Sequence, residues 1–194
     1  KKLYQKKVIW LKSGLPQDDL PHFGRIWEDV FPSGTGGHLD EFCRFADPST
    51  IMLAQVDSAD LPDHPLYRIA HDRLEENFRI LSEATDQDGR PFHIVRVPVP
   101  DLVIRTWRGA EVAHNLKEMG LPPSTDSVMK VGVPNSYLNF VVANGVVITS
   151  SYARSGMREA QREKDLRVRK SFSEVAPSRE SVMMNPIDLN SKGG

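Results

Sequence analysis

Cysteine is almost missing from this chain. Cys43 is the only one in 194 residues, so no internal disulfide can form, and a reducing, cytoplasmic setting is the expectation. Long apolar runs are missing too: none approaches the roughly 18 to 20 residues that a membrane span requires, so no membrane association is expected. Nor is there an excess of charge of one sign. The 25 Lys and Arg against 26 Asp and Glu leave a net of −1, which speaks against nucleic acid as a partner. His22, His64, His71, His93 and His114 show no metal-site spacing, and Ser33-Gly34-Thr35-Gly36-Gly37 is followed by no GK[ST] and forms no GxGxxG. Neither a metal nor an organic cofactor is expected.

What the chain does have is concentrated in Gly36-Gly37-His38-Leu39-Asp40-Glu41-Phe42-Cys43-Arg44-Phe45. If this stretch is extended, side chains at i and i+2 share a face, so His38 and Asp40 project together beside a backbone that two glycines leave open. An imidazole near its working pKa exchanges protons, and a carboxylate grips a planar cation such as a guanidinium with two hydrogen bonds. The bland alternative is a surface histidine steadied by a neighbouring acid. By the same parity Cys43 takes the opposite face, next to Phe42 and Phe45, as a buried structural thiol; only a bulge would turn it toward His38.

Apolar spacing organises the rest. Strands are expected at 8–11, 40–46 and 50–56, the last two joined by the turn residues Asp47-Pro48-Ser49. Asp63 is expected to cap a helix opened by Pro65, with the stripe Leu66, Ala70, Leu74, Phe78 and Leu81, and a strand follows at 92–99. Strands at 136–142 and 146–150 flank Asn144-Gly145, a type I′ hairpin signal, ahead of a charged helix at 157–175 and a strand at 181–187. The basic residues of that helix, from Arg158 to Lys170, read as a solvated face. The order strand, strand, helix, strand thus occurs twice, over about 38–99 and 136–187, with 101–134 as the connection. The segment 13–37, rich in Pro and Gly, has room for one short helix.

Three blocks carry a family resemblance. Lys6-Lys7-Val8-Ile9-Trp10-Leu11, the GH-x-D-E-x-x-x-F run from Gly37 to Phe45, and Ser136-Tyr137-Leu138-Asn139-Phe140 with Ala143-Asn144-Gly145 resemble, in order, the agmatine deiminase and bacterial peptidyl-arginine deiminase family. The resemblance implies an α/β fold of pentein type, built from ββαβ repeats arranged as a pseudo-fivefold β/α propeller. Residues 1–194 would be part of a single guanidine-deiminase domain, with about two of the five units present. It implies a hydrolase that converts a guanidine and water into a ureido product and ammonia, acting on agmatine or an arginine derivative. His38 would be the general acid and then base, and Asp40 a catalytic and substrate-binding carboxylate that clamps the cation. The family's nucleophilic cysteine would lie beyond Gly194, after a glycine-rich run like Ser191-Lys192-Gly193-Gly194, and its other guanidinium-binding acids before Lys1. The chain is therefore expected to be an interior piece of a longer one. The segment 13–37 is enlarged relative to the family's usual connection, which leaves the far end of the substrate unread. The same residues would serve an amidinotransferase of this fold, or a non-catalytic module that has lost the nucleophile, and a homo-oligomer is left open.

Overall fold

The computed structural model describes residues 7–20, 24–34, 36–118, 120, 128–154 and 158–186. His22 and the run 191–194 lie outside them, as do Lys6 and the last residue of the strand expected at 181–187.

Nine strands and three α-helices are described: β1 Val30–Pro32, β2 Cys43–Phe45, β3 Thr50–Gln55, α1 Pro65–Glu83, β4 His93–Pro98, β5 Val103–Arg108, α2 Ala110–Glu118, β6 Val128–Val133, β7 Val141–Ala143, β8 Val146–Ser150, α3 Glu159–Val175 and β9 Glu180–Met184. Single 3-10 turns form at Pro16–Asp18, Leu39–Glu41 and Ser58–Asp60. β2 runs antiparallel to β3, with Cys43 opposite Leu53, and β4 lies parallel on the other side of β3, with Ile51 opposite Ile94. Parallel neighbours need a crossover, which α1 supplies. The sheet β7-β8-β9 has the same connectivity: β7 is antiparallel to β8, α3 crosses over, and β9 is parallel to β8.

β3 is the most buried strand, with five of its six residues buried, as expected of a strand covered on both faces. Against it lies the α1 stripe Leu66, Ala70, Leu74 and Leu81, all at most 4% exposed. Full burial of such a leucine stabilises the fold by about 1.5–3 kcal/mol. The core is continuous across both sheets: Phe42, Leu53, Leu74, Tyr137, Leu138, Val147 and Phe172 belong to one apolar cluster.

Several local expectations are corrected. Residues 8–11 are not a strand, because the chain just after them bonds to a side chain instead of a neighbouring strand: Asn77 Oδ1 accepts from Lys12 N at 2.7 Å, and Asn77 Nδ2 donates to Ser13 O at 3.1 Å. The helix cap is His64, whose ring nitrogen accepts from Leu66 N, and not Asp63. Residues 136–140 are irregular, with Ser136, Tyr137, Leu138 and Phe140 buried and Asn139 exposed, leaving only three residues for β7. Gly145 has φ 76° while Asn144 keeps a negative φ, so this hairpin turn is not type I′. The connection 101–134 holds two strands and a helix. Its β6 pairs with β5 and, in parallel, with β1 from the segment 13–37. The resulting sheet β1-β6-β5 has a small core of its own around Val112, Met129 and Val131.

An ion cluster ties α3 to the loops that follow β3 and β4. Lys164, 2% exposed, donates to Asp60 Oδ2 at 2.6 Å and to Asp101 Oδ1 at 2.9 Å. Burial alone would raise the Asp101 carboxyl, but Arg158 and Lys164 together outweigh it and hold Asp101 below the usual carboxylate range. Replacing Lys164 by Met leaves two carboxylates without their buried cation and should lower stability by about 3–5 kcal/mol in chemical denaturation. A loss below about 1 kcal/mol would contradict this role.

Candidate active site

The site is built on the approach of two turns. The chain at Gly34 passes so close to the first 3-10 turn that a Cβ there would sit 2.2 Å from Asp18 Cα. Gly36 and Gly37 follow with φ of 128° and 72°, values that side chains rarely adopt, and both amides donate to the Asp18 carbonyl, at 3.2 and 2.8 Å. The Asp18 carboxylate accepts from the His38 amide at 2.5 Å. Asp18 is 3% exposed. One buried residue therefore holds three successive amides, leaving His38 at the end of a fixed backbone with its side chain exposed.

The chain does not continue from His38 as a strand. Leu39–Glu41 turns as a 3-10 helix, with Glu41 N bonded to His38 O at 3.2 Å and Phe42 N to Leu39 O at 3.1 Å, and β2 begins only at Cys43. The alternating faces expected of 38, 40 and 42 are replaced by a turn in which positions three apart stack. His38 and Asp40 remain on one short, fixed turn, but Glu41 is the residue brought one step above His38.

Asp40 is half-buried and borders a hollow of about 350 Å³ with Ile9, Leu11, Cys43, Ile51 and Leu81. Asp40 and Cys43 were expected on opposite faces; they line the same hollow, and His38 is not among its lining residues. Cys43 does sit in the apolar cluster, 6% exposed, and burial pushes its thiol up to about 12, so at neutral pH it carries its proton.

The back of the turn is fastened to the segment 136–140. Ser136 Oγ donates to Glu41 O, Asn139 Nδ2 donates to Glu41 Oε1 at 3.1 Å, and Arg44 donates to Phe140 O while its guanidinium lies 4.2 Å from the Phe140 ring centre. That segment is in turn held by α3, since Asp165 accepts from the Tyr137 and Ser151 hydroxyls and from the Tyr152 and Ala153 amides. Asp18 and Glu41 are the residues that reading the sequence passes over. Glu41 was in plain view beside Asp40, whereas Asp18 lies 20 positions from its partner and leaves no local pattern. Among the described residues no cluster of His, Cys, Asp and Glu is arranged to hold a metal ion.

Gly34→Ala should force the two turns apart, lowering stability by about 1–3 kcal/mol and moving the His38 amide resonance in NMR spectra. An unchanged His38 amide would show that the contact does not position the turn.

The profile of the Porphyromonas-type peptidyl-arginine deiminase family matches residues 1–194. An agmatine deiminase of Pseudomonas aeruginosa is 26% identical over 189 residues, covering 97% of this chain and 42% of that protein. One from Medicago truncatula is 29% identical over 147 residues, covering 76% and 32%. Among solved structures, the agmatine deiminase of Enterococcus faecalis superposes with a TM-score of 0.63 at 20% identity, over 97% of this chain and 42% of that one. The C. jejuni agmatine deiminase with substrate bound superposes with a TM-score of 0.56 at 18% identity, over 96% and 39%. The chain thus spans 32% to 42% of the length of these curated relatives, and it shares the pentein fold of the solved deiminases. It belongs to the Porphyromonas-type peptidyl-arginine deiminase family.

Proposed function

We propose that the protein carrying this chain is a guanidino-group hydrolase, agmatine deiminase-like, that converts a guanidine and water into a ureido product and ammonia. The observation that carries the reading is the turn 36–41: an exposed imidazole and a half-buried carboxylate two residues apart, on a backbone held from both sides, in a chain that the deiminase family matches from end to end. The names of the curated relatives and the substrate-bound neighbour support a small guanidine substrate.

A guanidinium carbon is a weak electrophile because its charge is spread over three nitrogens, so the chemistry needs a thiolate, a proton donor and a carboxylate that orients the cation. In this proposal Asp40 receives the guanidinium and a thiolate adds to its carbon. His38 then gives a proton to the departing ammonia. The same imidazole takes a proton from water as its oxygen adds; the C–S bond then breaks to release the thiolate, the remaining hydroxyl proton passes to solvent, and the ureido product is left. The burial of Cys43, with its proton held to about 12, supports a nucleophile from outside residues 1–194. The sheets β2-β3-β4 and β7-β8-β9 would be two neighbouring units of a β/α propeller. Its remaining units would cover apolar side chains now exposed, such as Trp10, Phe45 and Val141.

In the full-length protein, His38→Ala should lower kcat for ammonia release from agmatine by about 10²–10⁴-fold, and Asp40→Asn should act chiefly by raising KM. Near-normal turnover by the His38 variant would rule out the proton-transfer role.

A further inference from the structure

Glu41 is a buried acid that the proposed reaction does not use. It is 7% exposed; its Oε1 accepts from Asn139, and its Oε2 has no hydrogen-bond partner among the described residues. It stands one 3-10 step from His38 and next in sequence to Asp40, the carboxylate that borders the hollow. The charged groups that act on it are Asp18, from the turn Pro16–Asp18, and Asp40 and His38, from its own turn; the segment 136–140 brings only the uncharged Asn139. No Lys or Arg is paired with it among the described residues.

A carboxyl so placed has two stable forms: neutral, with its proton on the oxygen that accepts nothing, or ionised beside a cation. Resting on the proposed function, we infer that Glu41 is a positioning residue that loses its proton when a guanidinium settles against Asp40, so that a second, buried carboxylate strengthens the hold on the bound cation. Burial pushes Glu41 up to about 7; the Asn139 hydrogen bond opposes this, Asp18 and Asp40 add to it, and His38 opposes it. Below that value Glu41 is neutral, and cation binding must first expel a proton. Above it the charge is already present. Linkage is reciprocal, so a cation that favours ionised Glu41 binds more tightly as pH rises through about 7. Each pH unit by which the cation displaces the Glu41 titration is worth about tenfold in affinity. No covalent step is involved: one O–H bond of Glu41 breaks, and the proton passes to solvent.

The test is the pH dependence of KM and kcat for agmatine in the full-length protein between pH 5.5 and 8.5, a window of about three units centred on the titration. Wild-type KM should fall severalfold, up to about tenfold, with a midpoint near 7. Glu41→Gln keeps the shape and the Asn139 contact but carries no charge. It should lose this limb and hold the low-pH KM throughout, while kcat keeps its own profile. Asn139→Ala removes the hydrogen bond that lowers Glu41 and should move the limb to higher pH, which gives a second reading if Glu41→Gln folds poorly. A purely structural Glu41 would leave the position of the limb untouched by either variant. A wild-type KM that is flat through pH 7, or a limb retained in Glu41→Gln, overturns the inference while leaving the deiminase reading intact. Absence of ammonia release from agmatine, arginine and peptidyl-arginine alike would overturn both.

Discussion

The site depends on one buried carboxylate. Asp18 is packed against Gly34 and accepts from the amides of Gly36, Gly37 and His38, using its carbonyl for the first two and its side chain for the third. An amide bonded to a carboxylate is worth more than one bonded to a neutral acceptor, and here the acceptor is out of water. The two glycines adopt the left-handed backbone that brings their amides onto one oxygen. An exposed imidazole would otherwise ride on a flexible loop. Asp18 turns that loop into a fixed support, and so converts sequence neighbours into a defined geometry.

The support is completed by the segment that leads into β7. Ser136 and Asn139 bond the far side of the His38 turn, Arg44 reaches the Phe140 carbonyl, and Asp165 anchors Tyr137 to α3. Farther out, Lys164 draws Asp60 and Asp101 onto the same helix. Such a buried charge cluster adds little net stability compared with apolar packing, yet it is intolerant of losing one member. It fixes how α3 sits against the loops after β3 and β4. The turn is therefore clamped between Asp18 on one side and the segment 136–140 on the other.

Elements whose signal is local were legible in the sequence. The α1 stripe from Leu66 to Leu81 follows helical spacing, and β3 and β4 fall within a residue or two of expectation. Cys43 was legible as a buried thiol, and His38 and Asp40 do lie on one short turn. What failed was strand parity at 38–42, because a single 3-10 turn leaves no periodicity to read. The sheet β1-β6-β5 was missed for a different reason. Val30 pairs with Lys130, and Ser33 bonds to Gly132 across 99 positions, so its partners come from two segments that each resemble plain connection. Asp18 and Asn77 acquire their roles by bonding backbone groups far away in sequence, and composition cannot encode that.

The proposed hydrolysis of a guanidino group at the turn 36–41 would put an oxygen from water into the product. It is tested most directly by incubating the full-length protein with agmatine in ¹⁸O-labelled water and weighing the product by mass spectrometry. Hydrolysis releases ammonia and a ureido product that carries a single ¹⁸O, in its new carbonyl, because water supplies that oxygen. Agmatine, arginine and peptidyl-arginine all recovered unchanged in the same assay, or an amidino group delivered to an added amine with no label incorporated, would rule it out.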